Sequence, residues 1–176
     1  MSRLQPANSA AVFIRRARTA DMTAVMALAE SASTAARWPR AAYDAFCKVP
    51  SPMDEIKAKM LFVACTFALP PQPIGFVAFS ALRVPDTSGE PTAECELENM
   101  AVAAEWRRQG VGKRLLDVGM IWCRAQLASS LWLEVRASNR SAIALYEQAG
   151  LVVGGRRPDY YAQPQEDAIL MQKHFS

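Results

Sequence analysis

The stretch from Glu105 to Leu116 reads Glu-Trp-Arg-Arg-Gln-Gly-Val-Gly-Lys-Arg-Leu-Leu. An apolar, strand-like run, Met100-Ala101-Val102, precedes it. A helix-like run follows, with Leu115, Val118, Gly119 and Trp122 on one face. Gly110 and Gly112 allow a sharp turn and a close approach of backbone to ligand. The first N–H groups of a helix lack partners and carry partial positive charge, which suits an anion such as pyrophosphate. Arg107, Arg108 and Lys113 add full charges, and Gln109 and Val111 complete the turn. The segment reads as a phosphate cradle. Without other signals, a glycine pair opening a helix is equally an ordinary turn.

Two further residues could move protons. Glu134 lies between Leu133 and Val135, and strand alternation puts it on the opposite face from both. By pattern alone it reads as a surface glutamate in a salt bridge; a carboxylate held near an amine can also take its proton. Tyr146 follows on a helix-patterned segment. A phenol is protonated at pH 7 and can donate, although the same spacing fits a core tyrosine. Cys123 is not read as a nucleophile, because no histidine stands nearby in the pattern to activate it.

The elements that position these residues follow in order. Residues 1–11 read as a loose leader and residues 12–176 as one domain. Val12–Arg16 is a strand. Thr19 is placed to cap a helix from about Asp21, and a second short helix from Pro39 carries Tyr43 and Phe46. Val49 to Met53 reads as a loop. Leu61–Leu69 and Ile74–Arg83 are strands, antiparallel because their link is short. A strand from about Cys95 to Ala103, the cradle and a helix to about Gln126 come next, then a strand over Leu131–Arg136. Ser138 or Asn139 caps a helix running to Gln148, which Gly150 ends. Two last strands, Leu151–Arg157 and Asp167–His174, flank a loop containing proline and tyrosine. This order predicts an α/β fold with a mixed sheet, helices on its faces and a parallel crossover at the cradle. Ligands bind at the strand ends of such a crossover.

Composition narrows the classes. The chain has 176 residues, about half of them apolar (51%), and a net charge of +3. That charge is too small to argue for nucleic-acid binding. Asp86, Glu90, Glu94, Glu96 and Glu98 form an acidic run with no Lys or Arg among them. It reads as a solvated loop or as a rim that attracts a basic substrate. Cys47, Cys65, Cys95 and Cys123 stand far apart, and His174 is the single histidine, so neither a disulfide framework nor a metal site is expected. No secretory signal or membrane-spanning run is present in the sequence, and the cytoplasm is the expected location.

With these residues in view, the chain resembles a known family. Arg107-x-x-Gly110-x-Gly112 after an apolar strand is similar to the acyl-CoA signature of the GNAT N-acetyltransferases. Leu133-Glu134-Val135-Arg136-Ala137-Ser138-Asn139, continuing through Tyr146 to Gly150, resembles the RimI-type ribosomal-protein-alanine N-acetyltransferases. Gly155 to Tyr161 and Glu166 to Met171 are similar to the closing hairpin of that subgroup. The resemblance is close from about Glu96 to Met171. Before that it holds in layout, with Arg37-Trp38-Pro39 similar to a Trp-containing segment. Leu151 stands where the family usually has an aromatic, and the Pro70–Pro73 and acidic loops are longer.

The resemblance implies a GNAT fold with a mostly antiparallel sheet. It implies acetyl transfer from acetyl-CoA to the α-amine of a protein N-terminus, alanine on a small-subunit ribosomal protein, by direct attack in a ternary complex. Glu134 would be the base and Tyr146 the acid. Met100, Ala101 and Val102 would present backbone groups to pantetheine. Arg107, Arg108, Gln109, Gly110, Val111, Gly112 and Lys113 would hold the pyrophosphate. Asn139 would cap its helix or bond the pantetheine arm. Tyr160 and Tyr161 would wall the peptide site, or are ordinary hairpin aromatics. No metal, nucleic acid or membrane is implied. Acetylation of a lysine or small-molecule amine, and acyl-CoA binding without catalysis, are the alternatives.

Overall fold

The structure is a computed structural model that describes residues 11–32, 34–48, 56–85 and 89–175. The leader and the loop over Val49–Met53 lie outside the described residues, apart from Ala11. Among the described residues the strands are β1 (Val12–Arg16), β2 (Lys57–Thr66), β3 (Pro73–Pro85), β4 (Pro91–Val102), β5 (Ala128–Arg136), β6 (Val152–Ala162) and β7 (Gln165–His174). The helices are α1 (Met22–Ser31), α2 (Arg40–Asp44), α3 (Val111–Ala125) and α4 (Arg140–Gln148). The strands form one sheet in the order β1-β2-β3-β4-β5-β7-β6. Its pairs are antiparallel except β4 with β5, which is parallel. The α/β class and the parallel crossover are as the sequence predicts.

Alternation sorts side chains into two cores. Val77, Phe79, Cys95, Leu97, Leu131, Leu133 and Val135 face one way and pack with Leu115 and Leu116 of α3 and Tyr146 of α4. Leu61, Val63, Phe76, Ala78 and Ala101 face the other way and pack with Met22, Val25 and Leu28 of α1 and Tyr43 of α2. The cysteines are free thiols, with Cys65, Cys95 and Cys123 buried as small core side chains.

Several boundaries differ from the sequence reading. β4 begins at Pro91 rather than near Cys95, so Glu94 joins Glu96 and Glu98 on the strand. Their charges mask a period-two pattern in which Ala93, Cys95 and Leu97 are buried. β2 ends at Thr66, leaving Phe67 and Leu69 exposed. β6 continues through the tyrosine pair to Ala162. Thr19 opens a short 3-10 turn instead of capping α1. Asp21 stands at the N-cap position of α1, but its carboxylate serves the 3-10 turn and β1, accepting the Arg18 N–H at 2.7 Å and both Arg15 Nη atoms at 2.7 and 2.8 Å.

Candidate functional site

The site begins where the parallel ladder stops. β4 pairs with β5 from Ala93↔Ala128 to Leu97↔Leu133 and no further. At that point β4 carries an extra residue, Glu98: Phe79 of β3 faces Leu97 and Ala78 faces Asn99. Such a bulge bends a strand and redirects its side chains. Beyond it, β4 continues to Val102 paired to β3, and β5 continues from Glu134 to Arg136 paired to β7. Their facing edges share no ladder bonds.

Alternation decides which backbone groups point into that opening. Ala103 N–H donates to the Ile74 carbonyl of β3 at 2.8 Å. Asn99 and Ala101 therefore also turn toward β3, and Met100 and Val102 direct N–H and C=O toward the opening. The Val102 carbonyl accepts Arg107 Nε at 2.9 Å, which ties the cradle back to the strand end. Ala101 has a buried methyl.

The cradle turn uses two left-handed residues, Arg108 at φ 60° and Gly110 at φ 79°. Only glycine adopts this region without steric cost; Arg108 is an arginine held there, a strained state common at ligand sites. Gly110 is the N-cap of α3. Arg114 N–H makes the first helical bond, to the Gly110 carbonyl at 3.0 Å. The N–H groups of Val111, Gly112 and Lys113 precede that bond and face outward along the axis. Val111 anchors the turn with a buried side chain. Gln109 Nε2 donates to the Glu105 carbonyl at 2.7 Å, and Lys113 pairs with Asp117 at 2.7 Å.

Glu134 and Tyr146 lie on opposite faces of the sheet. Tyr146 packs in the core with Leu133 and Val135 and is 6% exposed. Burial, with a smaller effect from Tyr161, raises its phenol well above the ordinary value. Glu134 points the other way, and its Oε1 is 2.7 Å from Arg157 Nη1. The β4–β5 opening is where the two faces communicate. Tyr161 is electrostatically coupled to both residues, and Arg136 stacks 4.0 Å over its ring. The Glu134 carboxylate is the chief cause of the raised pKa of Tyr160, its hydrogen-bond partner. Asn139 Oδ1 accepts the Ala142 N–H at 3.2 Å, so Asn139, rather than Ser138, caps α4.

Two features carried no signal in the sequence. Arg157 is the ion-pair partner of Glu134 from a strand that does not adjoin β5. Asn99 clasps the segment before α2, donating from Nδ2 to the Ala36 carbonyl at 2.8 Å and accepting the Ala36 N–H at 3.3 Å. Just after that clasp, Trp38 stacks on Phe46 in the core of the Glu134 face. Glu96 and Glu98, part of the acidic run that the sequence offers as a rim, lie close enough to Glu134 to act on one another. Glu96 keeps solvent contact, yet its surroundings desolvate the carboxyl, and facing Glu98 and Glu134 push its pKa further up. Glu98 Oε1 is buried with no hydrogen-bond partner among the described residues.

Among the described residues no His, Cys, Asp and Glu side chains group as metal ligands, and no helix is long and apolar enough to cross a membrane.

Comparisons with known proteins agree with this architecture. The ribosomal protein bS18-alanine N-acetyltransferase of Salmonella typhimurium is 45% identical over 80 residues, 44% of this chain and 54% of that protein. The Escherichia coli (strain K12) protein of the same name is 44% identical over the same shares. The match thus spans about half the length of these relatives. The crystal structure of the E. coli ribosomal-protein-S18-alanine N-acetyltransferase superposes with a TM-score of 0.69 at 28% identity, covering 94% of this chain and 95% of that one. Arabidopsis thaliana NAA60, solved with acetyl-CoA, superposes at 0.80 with 15% identity, over 94% of this chain and 99% of that one, and shares the fold. The family model described as acetyltransferase (GNAT) family matches residues 22–151, most of the chain, and the protein belongs to that family.

Proposed function

We propose that the protein transfers the acetyl group of acetyl-CoA to the α-amine of a protein N-terminus, with alanine on a small-subunit ribosomal protein as the acceptor. The observation that carries this reading is the opening between β4 and β5, beside the N-terminus of α3, with Glu134 on one face and Tyr146 on the other. The named activity of the bS18-alanine relatives supports the acceptor class.

The chemistry follows from the faces. Backbone N–H groups of Val111 to Lys113, with Arg107 and Arg108 nearby, receive the pyrophosphate. Met100 and Val102 offer backbone groups to the pantetheine arm, and one N–H can stabilise the thioester oxygen as charge develops. An α-amine has a pKa of about 7.7–8.0, so part of it is neutral at pH 7. Glu134 takes the remaining proton, the amine attacks the thioester carbon, and Tyr146 protonates the departing thiolate from the opposite face. Transfer is direct, within a ternary complex. Tyr160 and Tyr161 line the acceptor side, and the three carboxylates favour a basic peptide. The reading places the protein in the cytoplasm, where ribosomal proteins are made.

The test is thiol release from acetyl-CoA with two matched peptides. One has a free N-terminal alanine followed by basic and aromatic residues; the other has a blocked terminus and an internal lysine. Release with the free terminus alone is expected. Release with the lysine peptide moves the activity to side chains. Acetyl-CoA binding with no release from either points to a small-molecule amine or to a binding module.

A further inference from the structure

Arg157 belongs neither to the cradle nor to the acid/base pair, yet it holds the candidate base. On β6 it faces Ala168 of β7, which in turn faces Arg136 of β5, whereas Glu134 faces Leu170. The Arg157 side chain therefore leans diagonally across β7 to place Nη1 2.7 Å from Glu134 Oε1. The β6–β7 ladder breaks immediately after Arg157 and resumes at Tyr161, with Asp159 in the left-handed region at φ 52°. The arginine thus sits at the lip of a bulge, with its side chain 54% exposed. Its guanidinium lies 5.5 Å over the ring of Tyr160. A pair exposed to this degree is weak and is readily displaced by a competing cation.

A second carboxylate stands on the same face. Glu96 of β4 faces Trp132, two residues before Glu134 on β5, and shares the Glu134 face of the sheet. Burial, Glu98 and Glu134 push the Glu96 carboxyl up, and Lys57 and then Arg157 oppose them. Beyond it lies Glu98 with its unpartnered oxygen. The three carboxylates of this face thus outnumber the two cations that act on them, Lys57 and Arg157.

We infer that Arg157 is a specificity-determining residue that stands in for the acceptor: its guanidinium covers Glu134 in the free protein, and it passes to Glu96 when the acceptor's ammonium takes its place. The identity of the acceptor rests on the function proposed above. Glu134 exchanges one cation for another, so the carboxylate is at no stage left uncompensated in the cleft. An acceptor without a cationic terminus has nothing to exchange and leaves the base covered. Once the ammonium is in place, Glu134 is free to take its proton.

The test is a double-mutant cycle on the acceptor KM, using the free-terminus alanine peptide and folded variants confirmed by thermal melts. Arg157→Ala removes the competitor and lowers the acceptor KM several-fold, by more than kcat changes. Arg157→Lys keeps the cation and stays near the original KM. Glu96→Gln deprives Arg157 of its second position and raises KM several-fold, by clearly more than in the Arg157→Ala background, where only its attraction for the basic peptide is lost. A KM that rises in Arg157→Ala, or a Glu96→Gln effect that is equal in both backgrounds, overturns the exchange. If no amine is acetylated at all, the proposed function fails, and the exchange is still decided by NMR. Alaninamide titrated into the free protein moves the Arg157 Nε–H signal if the exchange occurs, and an unmoved signal overturns it.

Discussion

Gly119 of α3 faces the ring of Phe79 on β3 so closely that a β-carbon at Gly119 would lie 1.9 Å from Cε2 and 2.2 Å from Cζ. The helix that begins at the cradle is therefore seated on the sheet by an absent side chain. Phe79 is fully buried and adjoins Trp122 at 6.3 Å between ring centroids, so it has little room to turn aside. Gly119→Ala gains about 1 kcal/mol in helix propensity. Overpacking costs about 1–3 kcal/mol, sometimes more, and an overlap this deep belongs at the upper end. Net destabilisation is expected in urea unfolding. An unchanged midpoint would mean that α3 rides up on the sheet, and acetyl-CoA affinity should then fall instead.

Asp21 ties β1 to the start of α1 through Arg15. The Arg15 hydrogen bonds hold the Asp21 carboxyl below its usual range, against the opposing effect of burial, and the Arg18 N–H assists. A carboxyl depressed in the folded state stabilises the fold above its unfolded pKa of about 3.9. That stability is lost as pH falls through the lower, folded value. Asp21→Asn should cost about 2 kcal/mol near pH 7, typical of charged hydrogen bonds. The gap to the original protein should narrow at pH 3. Urea unfolding at both pH values checks this, and an equal gap at both would assign the loss to packing.

What the sequence discloses and what it hides divide along range. The α3 cradle, the β5 alternation and the Asn139 cap depend on residues within a few positions of one another, and all three are readable. The start of β4 is local too, but Pro91, Thr92 and Glu94 point outward, and the stretch before Cys95 reads as a loop until Ala93 is seen buried. The Thr19 cap fails for a different reason. A guanidinium from β1 favours Asp21, and that pairing depends on the chain folding back. Arg157 over Glu134 and Asn99 on Ala36 join segments distant in sequence, with no periodicity to announce them. Such contacts shape the face around Glu134, which is why the geometry of the cradle is more legible than that of the proposed acceptor side.

Glu134→Gln removes the proposed proton acceptor while keeping the size of the side chain. A fall in kcat of about 10²–10⁴ is expected, the usual range for general-base catalysis. Tyr146→Phe should lower kcat more than it alters the acceptor KM. Because burial raises the Tyr146 phenol, its acidic form persists to higher pH. The pH profile should therefore show no alkaline fall from this group below about pH 10, the ordinary phenol value. If both variants turn over at the original rate, the acid and base lie elsewhere.

Gly110 separates dihedral preference from bulk at the cradle. Its φ of 79° is left-handed, and a β-carbon built there meets nothing within 4 Å. Alanine at this position would therefore be penalised by backbone conformation alone, by roughly 1–2 kcal/mol. Asparagine tolerates the left-handed region better than alanine. If the turn keeps its shape, the cost appears as lost stability. If the turn relaxes, the α3 N–H groups lose their aim, and acetyl-CoA Kd rises up to about tenfold for 1.4 kcal/mol. Calorimetric titration with thermal melts measures both. The summed cost should be smallest for glycine, intermediate for Gly110→Asn and largest for Gly110→Ala. Equal losses for asparagine and alanine would show that the cradle rejects any side chain, and that ligand approach rather than the dihedral fixes glycine there.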